Sequence, residues 1–244
     1  MTTAEIVDWK TIQTWAERER EWRGLCLHPQ LKLINRVGGI KDIDLRIPNH
    51  SFFPPNPIAN AKISYHFCDI TRINCDAIVN AAHSNLTGGG GVDGAIRNAA
   101  GEGLDVECRK FDHGCSPGQA VITGAYRLPS KFIIHTVGPV GEDPETLSSC
   151  YRSSLKLATE TTQIRSLAFC TISTGHYKYA SGPAAHVALR CVREFLDQHA
   201  DLLERIDFVV YKIKDEIAYQ ELIPFYFTFS DSSALAPQSI TGKR

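Results

Sequence analysis

The stretch from Asp69 to Gly101, DITRINCDAIVNAAHSNLTGGGGVDGAIRNAAG, constrains the fold more than any other part of the chain. An apolar run, Ala77-Ile78-Val79, delivers a polar cluster, Asn80-Ala81-Ala82-His83. Four glycines follow, Gly88 to Gly91, and Val92-Asp93-Gly94 then opens a helical pattern through Ala95, Ile96, Ala99 and Ala100. Glycines carry no Cβ, so their N–H groups can approach an anion closely. A helix start adds oriented donors and a favourable dipole. With a strand before it and a helix after it, this reads as a formed loop rather than a flexible turn. Its expected ligand is a phosphate or diphosphate.

Two familiar phosphate motifs fail. The P-loop spacing, Gly-x4-Gly-Lys-Ser/Thr, occurs nowhere in the chain. Gly89, Gly91 and Gly94 satisfy G-x-G-x-x-G, but four adjacent glycines produce that match almost automatically. The acidic residue that should follow, about 20 positions on at the end of a second strand, is not there, because Asp112 sits beside a helical segment. The dinucleotide-binding assignment is rejected.

The stretch closely resembles the macrodomain, and within it the MacroD-type ADP-ribosylhydrolases. The resemblance is carried by Asp69-Ile70-Thr71, Asp76 to His83, Gly88 to Ile96 and Ala99-Ala100-Gly101. It continues through Gly118-Gln119-Ala120, Leu128-Pro129, Ile134 to Pro139, Ser149 to Leu155 and Ile172 to Gly175. Matches fall in order over residues 60 to 227 or so. They imply a three-layer α/β/α macrodomain with a mixed central sheet.

Length and composition agree. A chain of 244 residues with 43% hydrophobic content can bury one substantial core and a small appendage. A net charge of −1 argues against a bulk electrostatic hold on nucleic acid or anionic lipid. The sequence has no run of 18 apolar residues and no signal-peptide pattern at its start. A soluble intracellular protein is therefore expected, in the cytoplasm or alternatively the nucleus, and monomeric. The eight cysteines include no C-x-x-C and mostly fall in apolar patterns, which suits reduced core thiols.

Three regions are expected: an extension over 1–58 packing on the core, the macrodomain over 59–229, and a loosely ordered tail over 230–244. In the first, Ile6, Trp9, Ile12, Trp15 and Ala16 have the spacing of an amphipathic helix. Its tryptophans should dock it, the alternative being a partner-binding arm. The rest of the extension reads as irregular, and Arg18 to Leu25 is weakly similar to the extension of the zinc-containing microbial macrodomains. From Ala61 strands and helices alternate. Strands are expected at Ile63–Phe67, Ala77–Asn80, Phe132–Val137, Leu167–Ile172 and Phe208–Ile213. Helices are expected at Asp93–Lys110, Leu147–Glu160 and Pro183–His199.

The resemblance also implies a site. Asp69 would accept from the adenine amino group with the Ile70 N–H beside it, and Tyr211, in the last strand, would stack on the base. Gly89, Gly90, Gly91 and Val92 would cradle the diphosphate. From the other side, Ser173, Thr174, Gly175, His176, Tyr177, Lys178 and Tyr179 would wrap it. The family often has Gly at Lys178 and Pro at Ala180; Lys178 is expected in solvent. Asp93 would orient or deprotonate the water that attacks the distal ribose, and Asn80 would hold the loop or that ribose. His83 stands where most members have Asn. Its imidazole can donate, accept or titrate near neutral pH, but lacks the paired amide geometry. Arg97 replaces the usual His and is expected on an exposed helix face.

No metal is expected. The zinc-containing relatives place ligands in the loop that here is Gly88 to Gly91, and Cys108, Asp112, His113 and Cys115 form one loose local cluster. The resemblance implies hydrolysis of mono-ADP-ribose from acidic side chains, with O-acetyl-ADP-ribose deacetylation as a companion. The ligand would be ADP-ribose, no cofactor would be needed, and the partners would be mono-ADP-ribosylated proteins. A non-enzymatic ADP-ribose reader is the alternative, because His83 replaces the usual Asn. RNA or poly(ADP-ribose) binding is disfavoured by the near-neutral charge.

Overall fold

A computed structural model describes residues 5–18, 43–46 and 48–229. Its centre is a six-stranded sheet in the order β2-β8-β7-β4-β6-β5. The strands are β2 (Ile63–Phe67), β4 (Ala77–Ala81), β5 (Ala120–Gly124), β6 (Phe132–Thr136), β7 (Ser166–Cys170) and β8 (Arg205–Val210). All neighbours are parallel except the edge pair β5–β6, so the sheet is mixed. Parallel strands need both faces covered. That explains why β4 and β7 are apolar almost throughout and buried nearly end to end.

The cover comes from α1 (Pro57–Lys62), α2 (Gly91–Ala100), α3 (Glu102–Cys108), α4 (Pro144–Glu160), α5 (Ser181–His199) and α6 (Ile213–Tyr226). Helices α4, α5 and α6 pack in succession, while α2 lies against β4 and α3 against β5. The result is the three-layer α/β/α architecture that the resemblance implies. Among the described residues no helix is long and apolar enough to cross a membrane. All seven described cysteines are free thiols; Cys26 lies outside the described residues.

Several boundaries differ from the sequence expectation. The helix expected over Asp93–Lys110 is two, because Gly101 turns the chain at φ 86° between α2 and α3. Strand β5 and helix α6 were not anticipated. Strand β8 ends at Val210, so Tyr211 stands beyond the strand rather than within it and is 70% exposed.

The expected N-terminal amphipathic helix is also replaced. Val7–Asp8 (β1) pairs in parallel with Ile73–Asn74 (β3), and a 3-10 turn spans Trp9–Thr11. Helix begins only at residue 15. The start signal is Thr14: its Oγ1 accepts from the Glu17 N–H at 3.1 Å while Glu17 Oε2 accepts from the Thr14 N–H at 2.7 Å. This is a reciprocal capping box. Trp15 is buried, donates from Nε1 to the Phe227 carbonyl at 2.8 Å, and stacks on Phe229 with ring centroids 5.0 Å apart. Trp22, with most of the Arg18–Leu25 stretch, and the tail expected over 230–244 lie outside the described residues.

Candidate active site

Beyond the carboxyl ends of β2, β4, β7 and β8 lies a cavity of about 930 Å³. That is where open α/β sheets bind ligands, and its size is within the usual range for small-molecule sites. Each strand delivers one segment of wall. From β2 come Cys68, Asp69 and Ile70; from β4 come Ala81, Ala82 and His83. The glycine loop and the start of α2 add Gly89, Gly90, Gly91, Val92 and Asp93. The loop after β7 supplies Ser173 to Lys178, and the end of β8 supplies Val209, Tyr211 and Lys212. Asn80 and Tyr179 do not line it: Asn80 is fully buried beneath the wall, and Tyr179 is buried behind the second loop.

At the β2 end, Asp69 caps the 3-10 turn Ile70–Arg72. Its Oδ1 accepts from the Thr71 N–H at 3.0 Å and from the Thr71 hydroxyl at 2.8 Å. One oxygen is thereby committed to the turn, and the loop's shape is fixed.

The glycine loop is shaped by close approach. Gly91, the first residue of α2, has φ +63°, and a Cβ on Gly94 would sit 2.7 Å from the Gly89 carbonyl oxygen. The loop therefore folds onto its own helix. Across the cleft the His176 ring lies against it: a Cβ on Gly90 would come within 3.0 Å of His176 Cε1. The two loops thus approach one another through the His176 ring, on either side of the cavity.

The second loop is held from below by Asp215, an α6 residue that sequence reasoning missed. Buried at 1% exposure, it accepts from the hydroxyls of Thr171 (3.1 Å), Thr174 (3.1 Å) and Ser181 (2.6 Å). Three hydroxyls spaced through residues 171–181 were the available signal, but their shared acceptor comes from an element the sequence reading lacked. Lys178 is exposed, as expected, and also borders the cavity. Its φ of +57° accounts for the glycine expected there from the resemblance. Lys212 adds a second cation, donating from Nζ to the Thr174 carbonyl at 3.3 Å.

Asp93 is the most constrained group. It is 3% exposed; Oδ1 accepts from Asn80 Nδ2 at 2.7 Å and from Arg97 Nε at 3.2 Å. Its Oδ2 has no protein partner among the described residues and lies under Gly89. Arg97 is the clear correction. Expected on an exposed face, it is 9% exposed and donates to Asp93, Asp105, the Leu86 carbonyl (2.6 Å) and Cys108 Sγ (3.7 Å). Burial works against its charge, but Asp93, Cys108 and Asp105 more than offset that and raise its pKa. Gly88 packs on its side chain as well. The missed signal was the Asp93–Arg97 spacing, i to i+4 on a helix.

Behind Asn80 stands His135, fully buried, with its pKa pushed down to about 3 by burial and by the Arg97 charge. It is therefore neutral. Asn80 Nδ2 faces its Nδ1 at 3.1 Å, so Nδ1 accepts and Nε2 donates to Thr123 Oγ1 at 2.9 Å. A chain of side chains thus runs from β5 through β6 and β4 to Asp93.

Among the described residues no group of three or more His, Cys, Asp or Glu is placed to hold a metal ion. Within the local cluster, Cys108 is engaged by Arg97 and Cys115 bonds to the Ser116 carbonyl.

The Macro domain family matches residues 79–188, which include the glycine loop, Asp93 and the second loop. Mouse ADP-ribose glycohydrolase MACROD1 is 49% identical over 174 residues, 69% of this chain and 53% of that protein. The chain thus spans about half the length of the mouse protein. Rat ADP-ribose glycohydrolase MACROD1 is 49% identical over 229 residues, 91% of this chain and 80% of its own. Among solved structures, the Trypanosoma brucei macrodomain in complex with ADP-ribose superposes with a TM-score of 0.67 at 35% identity, covering 86% of this chain and 91% of that one.

Proposed function

The chain belongs to the macrodomain family, and from that premise we propose that it binds ADP-ribose and hydrolyses mono-ADP-ribose from acidic side chains of proteins. One observation carries the reading. A buried carboxylate, Asp93, is pinned by an amide and a guanidinium at the junction of a glycine loop and a large cavity, with one oxygen left without a protein partner.

In this reading Asp69 takes the adenine amino group on its second oxygen, and the exposed Tyr211 ring covers the base. The N–H groups of Gly89 to Val92 and of Ser173 to Tyr177 hold the diphosphate, with Lys178 and Lys212 supplying positive charge around it. The distal ribose then lies over Asp93. Its Oδ2 orients the water that attacks the anomeric carbon, and the demodified carboxylate leaves. Attack at the acyl carbon of O-acetyl-ADP-ribose in the same cleft would release acetate. Asn80 acts from behind, holding Asp93 rather than the ligand.

The names of the rat and mouse relatives support a hydrolase over a reader, as does an Asp93 environment more elaborate than binding alone needs. A calorimetric titration with ADP-ribose, paired with release of ADP-ribose from a glutamate-linked mono-ADP-ribosylated protein, tests both halves. Binding with turnover is expected. Binding without turnover would make the chain a reader, and no binding would overturn the reading entirely.

A further inference from the structure

Strand β6 is apolar except for His135 and Thr136, and His135 is fully buried within it. A buried imidazole needs a partner for each ring nitrogen. The sheet supplies both. Asn80 of β4 stands opposite His135 in the ladder, so the two side chains share a face. On the other flank β5 places Val121 opposite His135, and Thr123, two residues on, points to that same face.

The direction of each hydrogen bond follows from Asp93. Its carboxylate, ion-paired with Arg97, only accepts, so the Asn80 atom 2.7 Å from Oδ1 is the amide nitrogen. The same nitrogen lies 3.1 Å from His135 Nδ1. The second amide proton therefore goes to Nδ1, since a proton on Nδ1 would meet it head-on. The ring proton then sits on Nε2 and is donated to Thr123 Oγ1 at 2.9 Å, and that hydroxyl donates onward to the Gly124 carbonyl at 3.1 Å. No other donor among the described residues reaches either ring nitrogen. Asn80 Oδ1 has no partner among those residues, so two acceptors alone hold the amide in place. Turned over, it would set its oxygen against both of them.

Of the two groups on Asp93 Oδ1, Arg97 comes from the same helix, whereas Asn80 ties the carboxylate to the sheet. Resting on the hydrolase reading above, we propose that His135 is a positioning residue of the site. By accepting one amide proton of Asn80 it commits the other to Asp93 Oδ1, and so holds the free Oδ2 in its working direction. His135 touches neither ligand nor water and exchanges no proton in the reaction. Its effect on turnover passes through Asn80.

The test is steady-state release of ADP-ribose from a glutamate-linked mono-ADP-ribosylated protein by the full chain, with ADP-ribose affinity measured alongside. His135→Phe fills the site but accepts nothing; kcat should fall about tenfold or more, with KM and ADP-ribose affinity within about threefold of wild type. His135→Asn should regain part of that loss, because its amide oxygen can stand where Nδ1 stands. In an Asn80→Ala background, His135→Phe should cost nothing further. The same loss in both backgrounds, or wild-type kcat in a folded His135→Phe, would overturn the proposal and leave the hydrolase reading intact. A wild type that binds ADP-ribose without turnover overturns the two together. Should His135→Phe not fold, nitrogen NMR of the wild-type ring decides: a neutral Nε2–H tautomer is expected from roughly pH 5.5 to 8, a span bracketing histidine titration. An Nδ1–H tautomer, or a ring that titrates in that span, would sink the assignment.

Discussion

Arg97 ties its own helix to α3 and to the loop that precedes α2. Its guanidinium meets Asp93 on its own helix, Asp105 on α3 and the Leu86 carbonyl, while Gly88 packs on its side chain. Removing one partner of a buried ion pair leaves the other charge uncompensated. Arg97→Ala should therefore cost about 3 kcal/mol of stability, read as a lower urea midpoint. Arg97→Lys should recover only part of it, because an ammonium cannot span the same fork of acceptors; full recovery would mean that charge alone matters. The sequence contained the i,i+4 pair, but a polar residue on a helix gives no sign that a loop will cover it. The four glycines were legible from their own chemistry, and Asp93 and His83 from the resemblance that aligned them. Asp215 was not, because its three hydroxyl partners meet only in the folded chain.

At the scale of elements, the glycine loop and α2 behave as one unit. The approach of Gly94 to the Gly89 carbonyl leaves no room for a methyl group, and the contact is to backbone, which cannot swing aside. Gly94→Ala should push the loop away from the helix start. It should weaken ADP-ribose binding by about tenfold or more, equivalent to about 1.4 kcal/mol, in a calorimetric titration; unchanged affinity would show that the loop's position does not matter. The parallel strands were readable from short apolar runs. The antiparallel edge strand β5 was missed although Ala120-Val121-Ile122 is itself a short apolar run; at the sheet edge these residues are only half-buried. Helix α6 was obscured by Pro224 within its last turn and by apolar residues distributed around it. Without α6 the expected strand ran on to Ile213, which placed Tyr211 inside it.

For the molecule as a whole, β2 and β8 enclose a buried carboxyl. Asp207 pairs across from Ser64 and accepts from its hydroxyl at 2.9 Å. Burial raises its pKa from 3.8 to about 6, against the opposing pull of Ser64, Arg205 and Arg18. A folded-state pKa above the unfolded one means the protonated form favours folding. That contribution is complete below about pH 4 and is lost as pH rises through about 6. Asp207→Asn should therefore unfold at higher urea than wild type at pH 8, by on the order of 2–3 kcal/mol, with the gap closing towards pH 4. A gap independent of pH would contradict the assignment. Such a group is invisible in sequence, where Arg205 to Val210 gives no hint that Asp207 faces inward. The amphipathic spacing at the N-terminus misled for a related reason: Val7 finds a strand partner in β3, and the capping box at Thr14 delays the helix.

The proposed role of the pinned Asp93 is to make this cleft a catalyst rather than a receptor. It is tested most directly by comparing wild type with Asp93→Ala for release of ADP-ribose from a glutamate-linked mono-ADP-ribosylated protein, with ADP-ribose binding measured on both. Turnover by wild type should fall by about 10²-fold or more in the variant, while the variant still binds ADP-ribose. Equal turnover by the two proteins, or binding by wild type with no turnover, would contradict it.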